Sequence, residues 1–449
     1  MRPLRLSVVF CLALVVAVAS SVALPLLAHA AAADTSLIQA ALDALDHTYY
    51  KPVDTVQLLN VGIASLRKTS HLDTAALPDI PAGTVRNQAL ALFRSAYDKA
   101  AHAPGTDQEA LATTTLREML ASLHDSHVVY FDPKAFDDFQ RALKGQNQYA
   151  GVGLIIAVRK DDAGQNEVFV LEVVDGSPAA AADVKRYDRI TQVDGASFDA
   201  GVTARDAANR IRGDAGTTVT LTIERAGTSR TVPIVRASIS IKSVAVSLER
   251  PGVALVRIRN FAQGTADQVR QGLTGLQAKG ALHGVIIDLR GNPGGLLREA
   301  ENTAGIFVPQ GTSLGKYLSR QGTYEQIARG NPMVPSSLPI AILTDGGTAS
   351  SAEVLSIGLH DSGRATLIGE KTAGALGAGQ MVPLPIGGME ITVSEVVGPH
   401  FEQIEHVGIT PDRIVAISVA ELQRGVDTQL DEALKLVSWV VPRRLIRAA

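Results

Sequence analysis

The sequence predicts a multidomain α+β protein, and three changes of pattern along the chain carry that prediction. Residues 34–145 place apolar side chains at helical spacing. Residues 149–237 switch to short strand-like runs separated by turn residues. From Ile239 onward strands alternate with helices, the pattern of an α/β layer. The 449 residues suffice for two or three domains with their own cores.

Composition narrows the class. Hydrophobic residues make up 46% and charged residues 19%, so the chain is globular rather than disordered. The net charge is −3 and no long run of Lys or Arg occurs, which argues against nucleic acid as the main partner. Aromatics are only 4%, leaving little to stack on bases or sugar rings.

The chain begins with a targeting pattern. Arg2 and Arg5 precede the apolar stretch Leu6–Leu27, and Ala28-His29-Ala30 reads as an A-x-A cleavage site. Cleavage after Ala30 is expected; the alternative is an uncleaved N-terminal anchor, since the stretch is long enough to span a bilayer. The only cysteine, Cys11, falls in this segment. The mature protein would therefore have no disulfide, thiol nucleophile or cysteine metal site. An exported, periplasmic location follows, with transient membrane association kept open.

In the helical region, Leu37, Ala41, Leu42 and Leu45 form one amphipathic face, and Leu58, Leu59, Ile63 and Leu66 another, with Pro52 between them. Asn87–Ala101 and Gln108–Leu123 continue the pattern. His124-Asp125-Ser126-His127 follows, either a base cluster or a polar turn with solvent-facing histidines.

Strands are expected at Gly153–Val158, Val168–Val173, Asp188–Val193, Thr218–Glu224 and Ser229–Ile234, with one helix over Thr203–Ile211. Gly151-Val152-Gly153-Leu154 is a glycine turn opening into a strand; Gly176-Ser177-Pro178-Ala179 and Asp188–Gly195 follow it. This order resembles a PDZ domain of the circularly permuted bacterial kind. Gly151, Val152, Gly153 and Leu154 match its carboxylate-binding loop, whose N–H groups capture a peptide terminus while the next strand pairs with the peptide. Tyr187 stands where that family has a glycine.

Further on, Val253–Ile258 reads as a strand, Thr265–Leu276 as a helix and His283–Leu289 as a buried strand. Asp288-Leu289-Arg290-Gly291-Asn292-Pro293-Gly294-Gly295 then turns into a helix. Without Cβ atoms, Gly294 and Gly295 let their N–H groups approach a substrate oxygen. A second strand, Leu338–Leu343, leads through Asp345-Gly346-Gly347-Thr348-Ala349 to Ser350 and a helix over Ser350–Leu359. A serine at a strand–turn–helix junction presents its hydroxyl beside the unpaired N–H groups of the helix start, as a nucleophile beside an oxyanion site does. An ordinary serine N-cap is the commoner reading of such a residue.

Three segments together resemble one family. Asp288–Gly295 looks like the D-L-R-x-N-x-G-G of the C-terminal processing (tail-specific) serine peptidases. Gly347–Glu353 looks like their G-S-A-S-A-S-E, and Gly369–Gly374 like their G-E-K-T-x-G. Tyr49–Val53, Asp125–Pro133 and Gly408–Asp412 add further similarity. The resemblance implies an N-terminal helical region (34–145), a PDZ domain (149–237), a ClpP/crotonase-like α/β peptidase core (239–416) and a C-terminal helical segment (417–449). It implies Ser350 as nucleophile, with the N–H of Ser351 and of Gly294 or Gly295 as oxyanion hole.

One departure bears on the base. The family reads G-E-K-T-x-G-K-G and uses the second lysine, whereas Ala375 and Leu376 stand here and an alanine accepts no proton. Lys371 matches the first, non-catalytic lysine. Tricorn-like relatives use a histidine and carry T-A-S-S-A-E, which this chain has at Thr348–Glu353. That resemblance implies His127 as base and Glu405 as the acid that orients it. The alternatives are Glu405 as a plain surface charge and Asp125 as the orienter.

The function expected is an exported serine endopeptidase acting on extended or unfolded polypeptides, guided by PDZ recognition of their C-termini. No metal or cofactor is implied, because there is no His-Glu-x-x-His and no phosphate loop. The alternatives are a catalytically inactive PDZ-bearing adaptor and an acyl-CoA enzyme of crotonase type. The sequence says nothing of oligomeric state.

Overall fold

Two of the four N-terminal helices begin where an aspartate side chain satisfies free backbone N–H groups. A computed structural model of the protein describes residues 35–438 apart from 147 and 162. The targeting segment and its cleavage site lie outside the described residues. The chain enters as α1 (Ser36–Thr48), α2 (Thr55–Ser70), α3 (Arg86–Ala101) and α4 (Gln108–Ala121). Asp54 and Asp107 cap α2 and α4 through their carboxylates. The expected faces pack together: Leu37, Leu42, Leu59 and Ile63 are buried with Phe93 and Tyr97.

One element in this region departs from an all-helical reading, the strand β1 (Val129–Phe131). It precedes α5 (Pro133–Leu143), which Asp132 caps with Pro133 in the first turn. Three residues carry no usable period. β1 exists because it pairs with residues 388–390, far along the chain.

A two-stranded ribbon, β2 (Gln148–Gly151) and β9 (Ala237–Ser240), carries the chain into and out of the next unit. Between them lie β3 (Leu154–Lys160), β4 (Asn166–Val173), α6 (Pro178–Ala181), β5 (Arg189–Val193), β6 (Ala196–Ser197), α7 (Ala204–Ile211), β7 (Thr218–Arg225) and β8 (Thr228–Val235). The sheet runs β3-β4-β5-β7-β8, with β6 on β5, so β3 is an edge with an open side. Tyr187 adopts φ 71°, the left-handed region, which is the physical reason a glycine suits this position. Its hydroxyl donates to Asp427.

The remaining chain builds two sheets. The first runs β10 (Val244–Arg250), β11 (Val253–Ile258), β12 (Gly284–Asp288), β15 (Ile340–Thr344), β16 (Thr366–Gly369) and β19 (Arg413–Ile414), parallel from β11 onward. Its inner strands β11, β12, β15 and β16 are mostly apolar and buried because both faces are covered. Val285, Ile287, Ile340 and Ile342 pack with α8 (Thr265–Gln277), α9 (Leu297–Ala304) and α10 (Ser351–Asp361) on one side. Ile286, Ala341 and Leu343 pack with α12 (Thr428–Ser438), which follows α11 (Val419–Gln423), on the other.

Strict strand–helix alternation fails between these elements. β13 (Ser313–Ser319), β14 (Gly322–Ile327), β17 (Gly377–Pro383) and β18 (Gly388–Val397) form a second, antiparallel sheet with β1. Met389 and Ile391 of β18 belong to the same buried cluster as the N-terminal helices. Strand β18 thus packs the antiparallel sheet against the helical region. No helix among the described residues is long and apolar enough to cross a membrane.

Candidate active site

The site forms where the turns after β12, β15 and β16 meet. Adjacent parallel strands deliver their C-terminal turns to one edge of the sheet. Hydrogen bonds stitch the turns together. Asp345 Oδ1 accepts from Gly291 N (2.8 Å) and Gly347 N (2.9 Å). Ala349 N donates to Asn292 O (2.9 Å), and Ala373 N to Thr348 O (2.9 Å).

Ser350 stands at the head of α10 with φ 54° and ψ −122°, a conformation that non-glycine residues rarely adopt. Such strain persists only where the surroundings hold it, at roughly 1–3 kcal/mol. Glu353 is the main holder. Its buried carboxylate accepts from Ser350 N (3.0 Å), Ala375 N (3.1 Å), Gly374 N (2.8 Å) and Thr372 Oγ1 (2.6 Å). Ser350 N also donates to Ala375 O (2.9 Å). Burial raises the Glu353 pKa above the usual value, and the hydrogen bonds oppose that rise. The spacing Ser350-x-x-Glu353 is that of a capping box, the sequence signal for this role.

His127 reaches Ser350 from the other sheet. Its Nε2 lies 3.3 Å from Ser350 Oγ. Both residues are buried, at 9% and 8% exposure, so the contact is shielded from bulk water. His127 Nδ1 lies 2.9 Å from Ser126 Oγ. Gly377 of β17 lies against the ring, where a Cβ would sit 3.1 Å from Nδ1. Burial lowers the His127 pKa below its ordinary value, while the charges of Glu405 and Asp125 raise it.

Neither candidate orienter bonds the imidazole. Glu405 accepts from Leu376 N (2.5 Å) and Ser126 N (3.3 Å), so it holds the backbone on both sides of the ring. Asp125 accepts from His127 N (2.9 Å), Thr392 Oγ1 (2.6 Å) and Tyr49 Oη (3.0 Å). The partner of Nδ1 is Ser126, which sequence reasoning did not single out.

Three backbone donors were expected near Ser350. Ser351 N and Gly295 N have no hydrogen-bond partner among the described residues. Gly294 N instead donates to Asn292 Oδ1 (2.8 Å). Gly294 adopts φ 97°, and a Cβ there would lie 2.6 Å from Ser350 Cβ, so only glycine fits against the serine. Asp288, at the end of β12, is fully buried. Burial alone would raise its pKa, but Arg290 and Arg257 hold it far below the usual carboxylate range.

Gly151, Val152, Gly153 and Leu154 lie apart from this cluster, at the β2–β3 turn beside the open edge of β3. Gly153 adopts φ 86°, and a Cβ there would strike Ser177 at 2.2 Å. Arg159 of β3 reaches from this unit to Asp345 Oδ2 (3.6 Å) and Glu370 (3.9 Å). Lys371 is exposed.

Comparison with known proteins agrees with this architecture. Residues 252–415 match the model of peptidase family S41, and residues 151–235 that of the PDZ domain. The carboxyl-terminal-processing protease of Synechocystis sp. is 34% identical over 335 residues, covering 72% of this chain and 76% of the relative. The carboxy-terminal-processing protease of Bartonella bacilliformis is 30% identical, covering 73% and 74%. The solved photosystem II D1 C-terminal processing protease matches with TM-score 0.52 and 25% identity over 90% of this chain and 96% of that one. The fold is thus the multidomain α+β fold expected, and the chain belongs to peptidase family S41, as a PDZ-bearing serine peptidase that hydrolyses polypeptides.

Proposed function

We propose that this chain is an exported C-terminal processing endopeptidase in which Ser350 is the nucleophile and His127 the general base. The observation that carries the assignment is the 3.3 Å approach of His127 Nε2 to Ser350 Oγ at a strained elbow. In this reading the imidazole carries its proton on Nδ1 and directs it at Ser126 Oγ, leaving Nε2 free to accept. Ser350 Oγ bonds to the scissile carbonyl carbon as its proton passes to Nε2. The oxyanion takes hydrogen bonds from Ser351 N and Gly295 N, with Gly294 bracing the turn. The C–N bond breaks as Nε2 returns the proton to the leaving amine, and water then hydrolyses the acyl-enzyme by the same relay. Glu405 supplies negative charge that supports the imidazolium and fixes the backbone around it.

Substrates are extended polypeptides whose C-termini bind at Gly151–Leu154 and along the β3 edge. The division of labour follows 34–145, 149–237, 239–416 and 417–449. Export rests on the basic start, apolar stretch and A-x-A site at residues 1–30. The test is labelling with a fluorophosphonate probe. Modification at Ser350 that vanishes in Ser350→Ala and His127→Ala is the expected result. Undiminished labelling in His127→Ala would overturn the base assignment.

A further inference from the structure

Asp125 sits where three distant parts of the chain meet. Its Oδ1 accepts from His127 N (2.9 Å) and from Thr392 Oγ1 (2.6 Å) of β18. Its Oδ2 accepts from Tyr49 Oη (3.0 Å), the residue that ends α1. The tyrosine is firmly placed. It is 5% exposed, its N–H closes the last turn of α1 on Leu45 O (2.9 Å), and its ring meets Tyr50 edge-on at 5.0 Å. Tyr50 N donates to Thr392 O (3.0 Å), so the threonine that holds Asp125 by its hydroxyl holds the end of α1 by its carbonyl.

This arrangement does more than fill a core. A carboxylate with three donors has its position set by all three. One of them is the main-chain N–H of His127, whose ring must keep Nε2 directed at Ser350. A displacement of about 1 Å at such a site costs on the order of a hundredfold in rate.

We propose that Tyr49 is a positioning residue for the base: through Asp125 it fixes the backbone of His127, so the N-terminal helical region completes the active site. The inference rests on the assignment of His127 as base. It assigns Tyr49 no contact with substrate.

The experiment compares rates of fluorophosphonate labelling at Ser350, with melting temperatures, in the full chain and its variants. Tyr49→Phe keeps the ring and loses the hydroxyl. It is expected to label about tenfold more slowly than the wild type. The double variant Tyr49→Phe/Asp125→Ala is expected to label no more slowly than Asp125→Ala alone, because the tyrosine acts through the aspartate. Leu42→Ala loosens the same helical core away from Asp125 and is expected to lower the melting temperature while leaving the labelling rate unchanged. Wild-type labelling in Tyr49→Phe would overturn the inference. So would multiplying effects in the double variant, or equal slowing in Leu42→Ala. The underlying base assignment fails separately, if His127→Ala labels like the wild type.

Discussion

His127 Nε2 and Ser350 Oγ meet at 3.3 Å although 223 positions separate them in the chain. The two arrive on different sheets. Ser350 is carried by β15 and α10 of the parallel sheet, His127 by the turn before β1, which hydrogen-bonds to β18. Gly377, at the start of β17, closes the gap by lying against the imidazole. The consequences can be tested in turn.

Activity should titrate on one group in the acid range. A general base must be neutral to accept a proton, and burial lowers the His127 pKa below 6.5. The labelling rate is therefore expected to rise with pH through a midpoint below 6.5 and to level off by neutrality. The charges of Glu405 and Asp125 act in the opposite direction. Glu405→Gln should move the midpoint to still lower pH, and a pH–rate profile of that variant checks the sign.

Lys371→Ala should retain activity. The lysine is exposed, and the position where the family carries its catalytic lysine is Ala375, whose carbonyl accepts from Ser350 N. Loss of labelling as complete as in His127→Ala would restore a lysine mechanism.

Glu353→Gln should damage stability and activity together. The amide is nearly the same shape, but one of its ends donates where four donors now converge on the carboxylate. Leaving buried donors unpaired costs about 1–3 kcal/mol. Thermal melting should fall accordingly, and labelling should slow because Ser350 N loses its anchor.

Glu390→Gln should stabilise the protein, but only at higher pH. Burial, reinforced by the charge of Asp125, pushes the Glu390 pKa up to about 7. The folded state thus holds a proton that the unfolded state releases near its ordinary value. Stability falls as pH rises from that ordinary value through about 7, and the full cost is present above it. The variant should match the wild type at pH ~4 and exceed it by on the order of 3 kcal/mol at pH ~8. Denaturant titrations at the two pH values check this.

Gly377→Ala should slow labelling with little loss of stability. A Cβ would stand 3.1 Å from His127 Nδ1, close enough that the ring must yield. A small shift of the imidazole suffices to lengthen the contact with Ser350.

Much of this was legible because it is written locally. The strand into Ser350, the glycine turn after it and the apolar face of Ser36–Thr48 each depend on neighbours a few residues away. Strand β1 could not be read, since its three residues owe their conformation to β18. The same holds for β13, β14, β17 and β18, which interrupt the expected alternation with an antiparallel sheet. Tyr49 was visible within a family-like segment, but its hydroxyl acquires meaning only beside Asp125.

The sequence by itself determined the order of units, the family, and the residue types offered for chemistry, because periodicity, turn residues and motif spacing are properties of adjacent positions. Tertiary structure decided which offered groups touch. It set Ser126 rather than a carboxylate against the imidazole, engaged Gly294 N with Asn292 while leaving Gly295 N without a partner among the described residues, and turned Glu353 into the anchor of two turns. The reason is physical: a hydrogen bond needs its partners within about 3 Å, and only the packing of β12, β15, β16 and β18 brings residues so far apart in the chain to that distance.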